Sequence, residues 1–130
     1  MPDTHRTGLG LALLLAVMLG VACENPNDRY LRVLPMKRSL RGLMNAQEAF
    51  FADSLRYASS LASLRGALGQ HALDSLELPS DSVSIDIEIS GSGYVATAHR
   101  PGTRTACKVF VGSENAPRVP GAAEGQVSCP

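Results

Sequence analysis

The chain has 130 residues, with 12 Lys plus Arg against 12 Asp plus Glu, so its formal net charge is zero. That balance lacks the basic excess that marks many nucleic-acid binders, and aromatic content of 5%, with no Trp, leaves little surface for base stacking. The length suffices for one domain with one modest core and not for two.

Met1 to Thr7 is polar and carries Arg6, Leu9 to Ala22 is apolar apart from Gly10 and Gly20, and Cys23-Glu24-Asn25-Pro26 stops the run. Fourteen residues are too few to cross a bilayer as a helix, which takes about 20. Run length, flanks and small terminal residues fit a secretory signal, residues 1–22, cut between Ala22 and Cys23. Its removal from 130 residues leaves 108. Leu19-Gly20-Val21-Ala22-Cys23 also resembles a bacterial lipobox, although Gly20 stands where that motif prefers a large aliphatic residue. The resemblance implies lipidation of Cys23 and a chain held at the membrane of a bacterial cell envelope. Without the lipid, the product is periplasmic or extracellular.

The cysteines are Cys23, Cys107 and Cys129. In an oxidising compartment a pair is expected to bridge, and Cys107 with Cys129 leaves Cys23 for the lipid. Such a bridge is worth about 3 kcal/mol in the chain-entropy model. The alternative is a free Cys107 packed as a small apolar side chain.

Residues 23–37 read as a tether and helix start, with Asn27 or Asp28 as the cap and Pro35 forcing a kink or a restart near Leu34. Residues 38–130 form the folded domain. Leu40, Leu43, Met44, Gln47, Phe50, Phe51 and Leu55 recur at helical steps as one apolar stripe, with Arg38, Arg41, Asn45 and Glu48 on the other side. Ser59 to Leu68 reads as a second short helix or turn, and Gly66, Gly69, Pro79 and Ser80 punctuate a connecting stretch.

The period then changes to two. Val83, Ile85, Ile87 and Ile89 alternate with Ser84, Asp86, Glu88 and Ser90, a strand with one buried face. Ser90-Gly91-Ser92-Gly93 makes a hairpin turn and Tyr94 to His99 returns. Thr105 to Val111 is a third strand with Cys107, Val109 and Val111 on one face. Glu114 to Gly125 is a loop, and Gly125 to Cys129 a short edge strand. The expected fold class is α+β: an N-terminal helix packed on a three- to four-stranded antiparallel sheet, the helix stripe meeting the Val83–Ile89 face.

A family resemblance rests on particular segments. Leu43-Met44-Asn45-Ala46-Gln47-Glu48-Ala49-Phe50-Phe51-Ala52-Asp53, followed by Tyr57 to Leu64, resembles the helix and Tyr-containing turn of type IV pilins and pseudopilins. Gly93 to His99, Thr105 to Gly112 and Cys129 resemble their strands and C-terminal cysteine pair. The similarity spans about residues 38 to 129. It implies a pilin-like α+β domain that is not an enzyme, and a structural or accessory partner of a type IV pilus or type II secretion-like system. Pilins begin with Gly, Phe-Thr-Leu-x-Glu and a long apolar helix, none of which occurs here, so prepilin processing and a major-subunit role are not expected. The competing reading is a periplasmic ligand-binding or inhibitory lipoprotein.

No catalytic residue, cofactor or metal site is assigned. His71, His99 and Cys107 are spaced 28 and 8 apart, which fits no zinc-finger pattern. No Gly-x-Ser-x-Gly elbow occurs, and Gly91-Ser92-Gly93 lacks the remaining glycines of a phosphate loop. Arg29, Arg32, Lys37, Arg38 and Arg41 form a basic cluster close to Cys23. It is read either as a solvated helix face or as a contact for anionic lipid heads.

Overall fold

The computed structural model describes residues 25–76, 78 and 82–130. The 1–22 leader, the Ala22–Cys23 bond and the Cys23 thiol lie outside the described residues.

The first helix, α1 (Pro26–Ser54), runs unbroken through 29 residues. Its cap is Asn25, two residues before Asn27 and three before Asp28: the Asn25 Oδ1 accepts from the Asn27 backbone N–H at 3.1 Å. Pro26 follows, where a missing N–H costs nothing. Pro35 neither kinks the helix into two elements nor restarts it. An interior proline costs about 3 kcal/mol. Val33 and Met36 on either side of it are buried, each burial being worth about 1.5–3 kcal/mol, and that holds the helix together.

Helix α1 buries Val33, Met36, Leu40, Leu43, Ala46 and Gln47. The apolar stripe therefore starts further back than Leu40. It also ends before Leu55, which is 79% exposed because it takes the left-handed conformation (φ 55°) that stops the helix. Two short helices follow. Helix α2 (Leu61–Leu68) is capped by Ser60, whose side chain accepts from the Ser63 N–H. Helix α3 (Gln70–Ser75) lies in what reads by sequence as a connecting stretch.

Strands β1 (Ser84–Ser90), β2 (Gly93–His99) and β3 (Cys107–Val111) form one antiparallel sheet in the order β1-β2-β3. Ile87 pairs with Ala96 and Ala96 with Val109, so Ile85, Ile87, Tyr94, Ala96, Ala98, Cys107 and Val109 share the face that meets α1. The small Ala96 and Ala98 let the helix approach, and α1 lies over β2 and β3. The Val83–Ile89 face lies on the helix side as expected, but shallowly: Val83 is buried, Ile85 and Ile87 are half-buried, and Ile89 is 41% exposed. An alternating pattern marks a strand but does not make it central, and here it marks an edge.

The opposite face of the sheet carries Val95 and Phe110, covered by Val119 and Ala122. Val119 follows a 3₁₀ helix, Ser113–Arg118, where an unstructured loop was expected. The C-terminal residues add one bridge to β3, Lys108 to Ser128, with hydrogen bonds of 2.7 and 2.8 Å, rather than a full fourth strand.

Candidate functional site

Arg29 and Arg32 project from the first turns of α1 on the side that meets the loop joining β2 to β3. That loop, Arg100-Pro101-Gly102-Thr103-Arg104-Thr105, folds back through two bonds to the Arg100 carbonyl: the Thr103 N–H at 3.2 Å and the Thr103 hydroxyl at 2.9 Å. The Arg100 guanidinium donates to the Arg32 carbonyl of α1 at 3.3 Å. Helix and loop together enclose a cleft of about 380 Å³ lined by Arg29, Arg32, Val33, Gly102, Thr103, Arg104 and Thr105.

Three guanidinium groups line this cleft, and none of the described residues lining it is acidic. Each guanidinium presents a planar fork of donors suited to carboxylate or phosphate oxygens. The loop is fixed from its far side, because Cys107, at the start of β3, is bonded to Cys129 (S–S 2.08 Å). The cysteine pair thus reaches the cleft indirectly, by anchoring the strand that follows Arg104 and Thr105.

The opposite end of the domain is built differently. Glu114 accepts from the Ser92 N–H at 2.8 Å and from the Ser92 hydroxyl at 3.2 Å. Backbone donors around the exposed Glu114 carboxylate, its own N–H and that of Ser92 first, hold its pKa below the ordinary 4.5. Glu124 accepts from the Gly112 N–H at 2.7 Å, and Arg118 pairs with Glu88. Gly93 is required at the hairpin, since a Cβ there would stand 1.9 Å from the Val111 carbonyl oxygen. Nearby, the buried Gln47 amide makes two bonds of 2.8 Å to the backbone N–H and carbonyl of Ala58, tying the turn after α1 to the helix. The Tyr57 hydroxyl donates to Glu48, and the Tyr57 ring packs edge-on against Tyr94 at 4.9 Å. Burial, then the Glu48 charge, raises the Tyr57 pKa; burial, then Tyr57, raises that of Tyr94. These carboxylates and rings are occupied in holding the fold.

The sequence cluster Arg29, Arg32, Lys37, Arg38 and Arg41 is divided by the structure. Only Arg29 and Arg32 face the cleft; Arg38 and Arg41 are exposed further along α1, and Lys37 Nζ stands 5.9 Å from the Tyr30 ring centre. Arg104 and its threonine neighbours were not picked out by sequence, although two arginines around a Pro-Gly turn are themselves a short basic loop. His99 lies 3.7 Å from Asp86 at the surface, and among the described residues no group of His, Cys, Asp and Glu is placed to hold a metal. No helix among the described residues is long and apolar enough to cross a membrane.

No protein-family model, no curated protein and no solved structure matches this chain.

Proposed function

We propose that this is a non-catalytic, membrane-associated pilin-like protein of a bacterial envelope, anchored through lipidated Cys23 and acting as an accessory partner of a type IV pilus or type II secretion-like system. The observation that carries this reading is the element order. A long helix bearing the Ala46-Gln47-Glu48-Ala49-Phe50-Phe51 run packs on an antiparallel sheet, and a disulfide joins the third strand to the C-terminus. The resembling residues also have a physical reason to be there: Gln47 clamps Ala58, and Phe51, Tyr57 and Tyr94 stack in series.

The alternative, a periplasmic ligand-binding lipoprotein, is favoured by the arginine-lined cleft, which lies within the roughly 300–1,000 Å³ range of small-ligand sites. Mass spectrometry of the mature N-terminus tests the tether: a diacylglyceryl adduct on Cys23 supports it, and an unmodified Cys23 overturns it. Cross-linking in cells followed by purification tests the assembly role. Pilus or secretion components should be recovered with the chain, and their absence from the cross-linked material argues for the ligand-binding reading.

A further inference from the structure

We propose that the cleft between α1 and the β2–β3 loop is a phosphate-recognition site that grips the headgroup of an anionic phospholipid beside the anchor. The inference deepens the reading above and rests on it for the source of the phosphate, but not for the site itself.

Three observations converge. First, the cleft collects cations from two segments about 70 residues apart in sequence: Arg29 and Arg32 from α1, Arg104 from the loop. Only the fold brings them together, so this is more than a solvated basic stretch. Second, the chain is neutral in total, and the charges of the described residues are polarised in space. Residues 26–41 of α1 hold Arg29, Arg32, Lys37, Arg38 and Arg41 against Asp28, and the cleft loop holds Arg100 and Arg104 with no acid. The rest of α1 holds Glu48 and Asp53, with Arg56 just after it, and the hairpin end holds Glu88, Glu114 and Glu124 against Arg118. A neutral protein with this arrangement turns one end toward an anionic surface. Third, Tyr30 and Leu31, next to Arg29 and Arg32, are 55% and 61% exposed. A tyrosine and a leucine beside arginines suit the boundary between headgroups and acyl chains. Arg29 is six residues from Cys23, so a lipid on that cysteine holds this end of the domain near the bilayer surface.

The recognition chemistry is that of a phosphate diester held by the forked N–H donors of Arg29 and Arg104, with Arg32 adding positive charge, the Thr105 hydroxyl at the rim and the Val33 side chain as an apolar wall.

The test uses the full chain with Cys23→Ser, so that no acyl group masks the headgroup contribution, and vesicles of phosphatidylcholine with or without phosphatidylglycerol. Binding should be stronger to the anionic vesicles. Arg104→Gln alone should weaken that binding about fivefold, and the Arg29→Gln/Arg32→Gln/Arg104→Gln variant about a hundredfold. All three side chains belong to exposed residues, and circular dichroism melts of each variant report retention of the fold. The control Lys37→Gln/Arg38→Gln/Arg41→Gln removes the same charge outside the cleft. If it matches the cleft variant, or if Arg104→Gln has no effect, the site is overturned in favour of general charge attraction. In a second arm, inorganic phosphate should shift the Gly102, Thr103 and Thr105 amide resonances. Phosphate shifts without a preference for anionic vesicles would overturn the lipid as source and leave a soluble phosphate ligand. Equal binding to both vesicle types with a lipidated Cys23 in the native chain would sink the cleft assignment while the tether stands.

Discussion

The two ends of this domain are held together by different chemistry. At the hairpin end, carboxylates and one amide close the structure: Glu114 and Glu124 take backbone N–H groups, Glu88 takes Arg118, and the Gln47 amide takes the Ala58 backbone. At the cleft end the constraint is covalent, the Cys107–Cys129 bond at the root of the arginine loop. At the first end the carboxylates are bonded within the fold, while the buried Tyr94 hydroxyl and Asn115 Oδ1 have no hydrogen-bond partner among the described residues; at the second end three guanidinium groups line a cleft. A carboxylate bound to backbone N–H groups stabilises structure, whereas guanidinium groups gathered around a cleft favour an anion there, and on this difference rests our proposal that the second end binds.

The largest test of this contrast is the disulfide. Cys107→Ala/Cys129→Ala should cost about 3 kcal/mol, a large part of a small domain's stability. Hydrogen exchange should accelerate first in residues 100–106 and 125–130 and leave the Ser90–Gly93 turn protected; equal loosening at both ends would break the comparison. Next comes Gln47→Leu, which removes both bonds to Ala58 and leaves a buried N–H and carbonyl unpaired. We expect about 2 kcal/mol of destabilisation by denaturant titration, with phosphate or vesicle binding unchanged.

A smaller effect is predicted at Glu114. A carboxyl whose folded pKa is lowered contributes stability above its unfolded value, near 4.5, and loses it as pH falls through the folded value. The melting temperature of Glu114→Gln should therefore lie below wild type at neutral pH and converge with it in acid. A difference that persists in acid would assign the effect to something other than the carboxylate. Smallest is Leu55→Gly at the left-handed end of α1. The exposed leucine makes little core contact and holds φ at 55°, so glycine should stabilise by about 0.5–1 kcal/mol in thermal melts.

Legibility from sequence followed the range of the interaction concerned. The helix over Leu40–Phe51 and the three strands were readable because their periods, 3.6 and 2, are local. The short helices α2 and α3 are less so: eight and six residues carry too little pattern, although Ser60 with Ser63 marks a start. The Ser113–Arg118 turn of 3₁₀ helix hides behind Pro117, which reads as a loop. Pro35 misleads because its cost is local and its compensation, the burial of Val33 and Met36, is tertiary. Of the cleft, Arg29 and Arg32 were visible as charges, but Arg104 had no sequence signal tying it to them.

The order of helix and strands and the hairpin at Gly91–Gly93 are written in residue types and spacing, since each depends on neighbours in the chain; Cys107 with Cys129 followed only from the lipobox-like setting of Cys23, because parity alone leaves three pairings. Which strand lies in the centre, where the helix stripe begins and which arginines share a cleft were decided only by packing. Those outcomes turn on the small Ala96 and Ala98 drawing α1 over β2, and a side chain's size acts across space on partners that its own sequence neighbours do not specify.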